Sequence, residues 1–241
     1  MGSITVFESA ASSTYNGFSF SAQRRFSKGF HFQLGITWAK AIDDGQDALV
    51  VGRPEIVQNS YAPNSERGAS VTDQRNRFVF SFMAQPRLFH REHALLRTVF
   101  NDWKFAGVST YGSGRPLNAT ITGDANRDGN DMNDRLPGVS RNAYVGPDYF
   151  TSDLRLSRQF PVSDRMKVEL LAESFNFTNR DNKRVDITDD GFVNAAGQFV
   201  PYNTTVSGKQ YPAYFLGSSS FLTPNSAYAP RQVQFGIRFA F

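Results

Sequence analysis

The chain has 241 residues with 26 basic and 22 acidic side chains, which give a formal charge of +4 that is spread along the sequence. No basic cluster is long enough to follow a phosphate backbone, so the composition argues against a nucleic-acid-binding protein. Because the sequence has no cysteine, disulfides, thiolate metal sites and cysteine nucleophiles are excluded.

The composition also requires a fine segregation of apolar and polar residues. The chain holds 23 phenylalanines, yet its mean hydropathy is −0.41. No apolar run approaches the ~18 residues that a membrane helix needs. The first residues, "MGSITVFESAASS", have neither a basic n-region nor an apolar h-region. We therefore expect an export signal, if there is one, to lie outside this chain, which points to a fragment or a truncated reading frame.

Apolar and polar residues alternate with a period of two in many places, and this pattern predicts eight β-strands. The first and the fifth of them show the weakest alternation. In chain order, the predicted strands are "ITVFESAA" (4–11), "GFSFSAQRRF" (17–26), "FHFQLGITW" (30–38), "RFVFSFMAQ" (77–85), "DWKFAGVSTYGSG" (102–114), "SDLRLSRQF" (152–160), "MKVELLAES" (166–174) and "RQVQFGIRFAF" (231–241).

The connections between these strands are short and long in alternation. Strands two and three are joined by "SKG", with Gly29 where a tight hairpin favours positive φ. Strands six and seven are joined by "VSDR", and strands four and five by a link of medium length. The remaining loops are long and polar, near 42–75, 114–148 and 179–229; only "SSTYNG", the first link, is short on that side. Short turns on one side and long loops on the other are typical of a bacterial outer-membrane barrel.

Two fold classes fit alternating strands. A soluble β-sandwich would turn the apolar face inward, whereas a transmembrane barrel turns it to lipid. The charged residues at mid-strand, among them Arg155, Glu169 and Arg238, suit bulk water and a wet lumen equally well. The position of the long loops on one side of the predicted sheet favours the barrel. Aromatic residues near the strand ends would suit girdles at the two membrane interfaces. These aromatic residues are Tyr15, Trp38, Trp103, Tyr149 and Phe150.

We therefore predict an all-β fold, an antiparallel up-and-down transmembrane β-barrel. An amide without a partner is costly in hydrocarbon, so a spanning sheet must close or pair with further strands. The eight predicted strands either close into one narrow barrel or form the C-terminal part of a larger, 22-stranded one.

Several stretches resemble a known family. The terminal "VQFGIRFAF" looks like the C-terminal signature of outer-membrane barrels, which ends in phenylalanine. The chain further resembles the C-terminal barrel region of TonB-dependent outer-membrane receptors, closest to the Oar-like or carboxypeptidase-regulatory-type receptors. The supporting stretches are "YNGFSFSAQRRFSKGFHFQLGITWAKAIDD", "DQRNRFVFSF", "DWKFAGVSTYGSGRPLN", "GDANRDGNDMNDR", "ESFNFTNRDN" and "APRQVQFGIRFAF".

The resemblance implies a bacterial outer-membrane location and uptake of a nutrient through a barrel that is filled by a plug and energised through a TonB box. This chain has no room for the plug or the TonB box, so TonB and the plug are implied only as parts of a longer chain. The resemblance also implies an assembly signal at Phe235, Ile237, Phe239 and Phe241. The barrel-assembly machinery would read this signal by pairing with an exposed sheet edge, and outer-membrane lipid and an unknown small nutrient are the other expected partners.

One loop resembles a calcium site. In "GDANRDGNDMND", Asp124, Asn126 and Asp128 stand at positions 1, 3 and 5, and a glycine follows at position 6. Asn130 and Asp134 supply further oxygen donors, but position 12 is Arg135 instead of glutamate. The alternative is a solvated Asx-rich turn, since Asp and Asn also favour loops by hydrogen-bonding their own backbone.

The remaining candidates for chemistry are weak. His90 and His93 lie three residues apart in a predicted turn without an evident third metal ligand. No "GxSxG" is present, and His31 has no evident serine and acid partners. Glu169 and Glu173 would lie up to ~13 Å apart along one strand face, which is too far for a retaining carboxylate pair. We expect these two glutamates to line a wet interior or to pair with Arg155 or Arg238, and we expect no enzyme.

Three functions remain open. The first is a barrel segment of a TonB-dependent receptor that takes up or binds a nutrient at the cell surface. The second is a small self-closed barrel that acts as an adhesin or structural protein. The third is a soluble β-sandwich that binds carbohydrate or calcium, and it predicts a protein that is soluble without detergent.

Overall fold

The computed structural model describes residues 10–45, 57–59, 61–87, 100–118, 120–122, 134–135, 139–163, 166–185, 189–193, 199–201, 204–206, 209–211, 224 and 226–241. Within these ranges the protein is a β-sheet protein with one short 3-10 helix at Pro63–Glu66. No helix in the described part is long and apolar enough to cross a membrane.

Seven long strands carry the architecture in the described part of the chain. They are β1 (Ser13–Ser27), β2 (Phe30–Asp43), β4 (Asn76–Ala84), β5 (Trp103–Gly112), β9 (Tyr149–Pro161), β10 (Lys167–Phe175) and β17 (Gln232–Ala240). The shorter strands are β3 (Gly68–Ala69), β6 (Pro116–Leu117), β7 (Thr120–Thr122), β8 (Tyr144–Val145), β11 (Lys183–Arg184), β12 (Asp189–Val193), β13 (Phe199–Pro201), β14 (Thr204–Val206), β15 (Lys209–Tyr211) and β16 (Ser226–Ala227).

The long strands form one sheet in the order β1-β2-β4-β5-β9-β10-β17, and β3 pairs with β2 beside this path. Each neighbour along the path is the next long strand in the chain, and each pairing is antiparallel. This is the predicted up-and-down topology. Alternation is a local property of each strand, which explains why the sequence locates the strands so well.

The predicted strand boundaries differ from the observed ones mainly at β1. Strand one of the prediction, residues 4–11, lies almost wholly outside the described residues. The link predicted at "SSTYNG" is wrong for most of its length, because β1 already begins at Ser13. The predicted long loops also contain strands, since Gly68–Ala69 pairs with the end of β2 and β11 pairs with β16.

The hairpin between β1 and β2 has the predicted tight turn. Lys28 and Gly29 both have positive φ, at 53° and 77°, as a two-residue type I′ connection requires. Gly29 is also required by close approach, because a Cβ there would lie 2.5 Å from the carbonyl oxygen of Gln85. The amide of Gln85 donates to the Gly29 carbonyl at 2.7 Å, so this turn is fixed to the end of the neighbouring β4.

The antiparallel path gives the sheet two different rims. The links β1–β2 and β9–β10 leave from one rim, here called the short-turn rim. The links β2–β4, β5–β9 and β10–β17 leave from the opposite one, called the long-loop rim. Six antiparallel steps separate β1 from β17, so these two edge strands run in the same direction, both towards the short-turn rim.

Strand register places the large apolar residues on one face of the sheet, here called the apolar face. Phe20 pairs with Ile36, Ile36 with Phe78, Phe78 with Tyr111, and the row ends at Phe150. A second row runs through the residues Phe30, Ala84, Phe105, Leu156, Ala172 and Phe235. The odd-numbered residues of β1 and their register partners form the opposite, polar face.

The apolar face is not covered by a second sheet in the described structure. Phe18 is 63% exposed, Trp38 65% and Phe235 82%, and Ala39 is the one buried hydrophobic residue in the described part of the chain. The buried side chains are instead polar, such as Glu66, Arg141 and Asn182. This distribution is the reverse of a soluble core, and it contradicts the β-sandwich alternative, in which the phenylalanines would lie between two facing sheets.

Candidate functional site

The polar face carries a ladder of charged side chains across β9, β10 and β17, here called the charged ladder. Arg155 Nη1 lies 3.2 Å from Glu173 Oε1, and Arg155 Nη2 lies 3.8 Å from Glu169 Oε1. Arg238 Nη1 reaches Glu169 Oε2 at 3.7 Å, and Gln234 Nε2 donates to Glu173 Oε2. The expectation that the two glutamates pair with Arg155 or Arg238 is thus confirmed.

The charged ladder lines the polar face and favours the observed register, although its contribution to stability is small. Arg238 is 65% exposed at its side chain, so its ion pair with Glu169 is worth about 0–1 kcal/mol. Glu169 lies opposite Arg238 and Glu173 lies opposite both Arg155 and Gln234. A one-residue slip of β17 would move Arg238 to the apolar face, so these pairs favour the observed register.

Two serines on the apolar face are paired with each other within the sheet. Ser109 and Ser152 face each other across β5 and β9, and their hydroxyl oxygens are 3.0 Å apart. Gly107 makes room for apolar contact, because a Cβ there would lie 2.7 Å from both Phe82 and Leu154 side chains. Every described charged side chain in register with this face is a cation, namely Arg24, Lys40 and Arg158.

The predicted aromatic girdle is only partly correct. Trp38, Trp103 and Phe150 lie in register with the apolar face, as a girdle requires. Tyr15 pairs with Ala41 and Tyr149 pairs with Gly112, which places both tyrosines in register with the polar face. Tyr149 instead packs edge-on against Tyr228, with ring centroids 5.3 Å apart.

The stretch "FNFTNRDN" forms an asparagine-rich turn that joins three strands at the long-loop rim. The backbone amide of Asn176 donates to Asp153, and its side-chain amide donates to the carbonyls of Arg180 and Ala229. Asn182 makes two 2.8 Å hydrogen bonds to the backbone of Phe150. The positive φ of Asn176 and Asn179, at 47° and 51°, explains why asparagine stands there.

The same turn positions the start of the last strand. The Asn179 side chain accepts a 3.0 Å hydrogen bond from the amide of Arg231, one residue before β17 begins. Arg180 pairs with Asp148 at 2.8 Å, just before β9 begins. The resemblance of this stretch to a receptor family does not by itself indicate its structural role. The signal available was the density of asparagine at a strand end, which is typical of side-chain-capped turns.

Two long loops are held together by a buried ion pair, here called the loop tie. Arg135 Nη2 lies 2.7 Å from Glu66 Oε1, and the two side chains are 3% and 1% exposed. Arg141 donates through Nε to the Glu66 carbonyl at 2.9 Å and also pairs with Asp43 at the end of β2. Burial lowers the pKa of the Arg141 guanidinium, which nevertheless remains protonated. The loop tie therefore connects residues near 66, 135 and 141 to the rim of the sheet.

The loop tie escaped sequence analysis because its partners are far apart in the chain. Glu66 and Arg135 are separated by 69 residues, and Arg141 and Asp43 by 98. In the sequence, Arg135 stands out only as the residue at position 12 of the candidate calcium loop, where a calcium loop has glutamate. The structure shows that the Arg135 side chain pairs with the carboxylate of Glu66. No local sequence pattern predicts this pair.

Replacing Glu66 by glutamine should open the two loops without unfolding the sheet. The Arg135 charge would stay buried without its counter-charge, and breaking a buried pair in this way costs about 3–5 kcal/mol. We expect limited proteolysis at Arg67 to accelerate by more than tenfold in the detergent-folded protein. The control is Asp181→Asn, which removes an exposed pair with Lys183 at 3.7 Å and should leave proteolysis unchanged. Equal cleavage rates in parent and Glu66→Gln would contradict a stabilising loop tie.

The first strand is anchored at the same rim by Ser12. Its amide and its hydroxyl both donate to the Asp44 carboxylate, and Arg67 lies 3.8 Å from that carboxylate. The hydrogen bonds from Ser12 lower the pKa of Asp44 below its usual value, so this group is ionised at neutral pH. The amide of Asp44 returns a bond to the Ser12 carbonyl at 3.1 Å, which extends the β1–β2 pairing beyond Ser13.

The candidate calcium loop is largely outside the described residues. Asp124, Asn126, Asp128 and Asn130 fall there, while Asp134 is described and is 1% exposed. Among the described residues, no group of three or more His, Asp or Glu side chains is placed to hold a metal ion. The calcium site therefore remains a prediction, as does any role of His90 and His93, which also lie outside the described residues. His31 lies in register with the polar face of β2, opposite Met83.

The residues predicted to form an assembly signal lie on one face of the edge strand β17 and directly after its end. Phe235, Ile237 and Phe239 are 82%, 63% and 62% exposed, and the terminal Phe241 is fully exposed. One edge of β17 pairs with β10, and no described strand pairs with its other edge. A free edge beside a row of exposed apolar side chains is what strand addition requires.

An all-antiparallel sheet with an outward apolar face, a polar charged face, short turns at one rim and long loops at the other defines a membrane-spanning β-sheet of the barrel class. The comparison with family models agrees, because the model of an outer membrane beta barrel domain matches residues 1–138, more than half of the chain. The chain belongs to this family of outer-membrane barrels and is located in the outer membrane. Comparison with curated proteins and with solved structures gave no match.

Proposed function

We propose that this chain forms part of the barrel wall of a TonB-dependent receptor that binds or takes up a nutrient at the cell surface. The proposal combines family membership with the resemblance of the C-terminal stretches to such receptors. The long loops would form the outer vestibule, since long loops of these barrels face the cell exterior. We further propose that the chain has no catalytic role, and that the plug and TonB are partners through a longer chain.

The observation that supports a role as part of a barrel wall is the direction of the two edge strands. Because β1 and β17 run in the same direction, they could pair with each other only in parallel, whereas each pairing along the long-strand path is antiparallel. If a second copy of the chain were inserted in the same orientation, β17 of one copy would again meet β1 of the other in parallel. An odd number of further strands is needed between the two edges, which is compatible with a larger barrel and also with one additional strand.

A small self-closed barrel is the second candidate, because a single strand before β1 would satisfy the same requirement. In that case the loops would serve as an adhesive or structural surface. The loop tie would support either candidate, since it orders loops near the rim around a buried pair instead of leaving them solvated.

The size of the native protein distinguishes the two candidates. An antibody against the loop around residues 57–70 is used to probe outer membranes of the source organism after denaturing electrophoresis. A receptor predicts a band much larger than the 26.9 kDa of this chain, and cross-linking of that band to TonB. A heat-modifiable band near 27 kDa would overturn the receptor proposal in favour of the small barrel.

A further inference from the structure

We propose that the turn between β1 and β2 binds the headgroups of anionic phospholipids in the leaflet at the short-turn rim. Residues 24–28, "RRFSK", are here called the basic turn, because three of the five carry a positive charge. The inference rests on outer-membrane family membership and on the geometry of the β1–β2 hairpin. It does not depend on the receptor function, so its failure and the failure of that proposal are separate outcomes.

Register places the first cation of the basic turn on the face that contacts lipid. Arg24 pairs with Phe32 on the apolar face, two residues from the short-turn end of β2, or ~7 Å along the strand. Its Cζ lies 5.8 Å from the centroid of the Phe30 ring, which attracts the cation. An arginine so close to the rim keeps its aliphatic stem on apolar surface while its guanidinium reaches the headgroups.

A β-bulge brings the second cation of the basic turn beside the first. The register of β1 against β2 shifts between Arg24 and Ser27. Arg25 and Phe26 therefore lie together opposite one residue, His31. A bulge of this kind breaks the strict alternation of faces and redirects side chains at the rim of a sheet. Phe26 is 54% exposed and Arg25 is exposed as well, so the bulge presents an apolar ring and a cation where the membrane surface lies.

The third cation stands where the backbone favours a different residue. Lys28 is the first central residue of the type I′ turn and has a φ of 53°. Asparagine and glycine adopt this left-handed conformation most readily, whereas a lysine there is strained. Its ammonium group is exposed and has no partner among the described residues. A residue that breaks a local rule without a structural gain points to a function for its charge.

The basic turn has no counter-charge within the described structure. Its three cations are exposed, and none of them forms an ion pair with a described carboxylate. Their one side-chain hydrogen bond in this part of the chain runs from Arg24 Nη2 to the Ser27 carbonyl at 3.4 Å, which leaves the other guanidinium N–H groups available. The polar face, by contrast, balances Arg155 with Glu169 and Glu173. Exposed cations at a membrane surface favour anionic lipids over zwitterionic ones.

A single tryptophan can report on the lipid beside the basic turn. The two native tryptophans are removed by Trp38→Phe and Trp103→Phe, and Phe32→Trp places the reporter on the apolar face opposite Arg24. This protein is called the reporter parent. The full chain is folded into vesicles of phosphatidylcholine that contain brominated phosphatidylglycerol or, in parallel, brominated phosphatidylcholine, and quenching of the tryptophan fluorescence is measured.

We expect the reporter parent to bind brominated phosphatidylglycerol at least about tenfold more tightly, since one basic residue near a membrane surface contributes about fivefold. Lys28→Asn should lower this preference about fivefold. Its free energy of unfolding should equal or exceed that of the parent, because asparagine suits the turn. The matched control is Lys40→Asn, the same substitution on the apolar face at the long-loop rim, opposite Asn16. It should leave the preference at the reporter unchanged.

Four results would overturn the proposal. Equal quenching by the two brominated lipids in the reporter parent excludes the site without any further variant, and would fit a turn that docks on an acidic protein surface instead. An unchanged preference in stably folded Lys28→Asn would exclude a role of its charge. Equal loss of preference in Lys28→Asn and Lys40→Asn would indicate a general charge effect. Displacement of the lipid by millimolar inorganic phosphate would mean a free-phosphate site instead of a headgroup site.

Discussion

Replacing Leu34 by lysine should destabilise the membrane-inserted sheet by about 2–4 kcal/mol, the cost of a lysine on the lipid face near mid-bilayer. Leu34 lies on the apolar face of β2 between Ala22 and Phe80. It is four residues from the short-turn end of β2, or ~13 Å along the strand at the usual rise, which is ~10 Å of depth for a strand tilted by about 40° and lies well inside a lipid-facing band ~25 Å tall. The free energy of unfolding is measured by guanidinium titration of the protein folded in phospholipid vesicles.

The matched control is Gln33→Lys, which adds the same side chain at the same depth on the opposite face. Gln33 lies between Gln23 and Ser81 on the polar face, and a wet lumen accepts its charge. We expect a change of less than about 1 kcal/mol for this variant. The assignment of the two faces would be reversed if Gln33→Lys proved the more damaging of the two. Equal effects would mean that neither face contacts lipid.

Removal of Phe241 should reduce insertion into the outer membrane of living cells by about tenfold or more. The side chain is fully exposed and follows the last strand residue, Ala240, so its loss removes no described packing from the sheet. If the assembly machinery binds this ring, burying it there contributes about 1.5–3 kcal/mol, and each 1.4 kcal/mol corresponds to a factor of ten. The measurement compares the folded, membrane-integrated fraction of the chain exported with an added signal peptide.

Spontaneous folding of the same variant into detergent should be unchanged, because the effect acts through recognition and not through stability. Tyr61→Ala is the control for loss of an exposed aromatic ring, since Tyr61 is 96% exposed in a loop and lies outside the predicted assembly signal. Normal insertion without Phe241 would exclude the terminal ring as an assembly signal. Impaired folding in detergent would show instead that the ring stabilises the sheet.

The strands were predictable because their signal is local. In β17 the alternation of Val233, Phe235 and Ile237 with glutamine and glycine is visible within a few residues, and the observed strand differs from the prediction by one residue at each end. The ion pairs of Glu169 and Glu173 were predictable as well. Any antiparallel neighbour strand with an arginine on its polar face could form them. Counting residues along each strand in steps of two would also have placed Tyr15 and Tyr149 on the polar face. The prediction that these two tyrosines belong to the aromatic girdle was wrong for this reason.

The contacts between loops at the long-loop rim could not be predicted in the same way. Glutamate in a polar loop is normally exposed, and no nearby sequence feature predicts that Glu66 is buried against Arg135. Loop contacts of this kind join residues far apart in the chain, and their free energy depends on burial that only the folded loops create. The contact of Arg24 with the Phe30 ring likewise requires the register of β1 against β2.

By itself, the sequence determined the long strands, their two faces and the alternation of short turns with long loops. Both the period of two and the choice of turn residues are local signals that can be read within a single segment. Only the tertiary structure decided which charges meet, which loops are tied together and which strand edges have no partner among the described residues. Strand pairing and burial are long-range properties, and the common direction of β1 and β17 emerges only when the long strands are placed side by side.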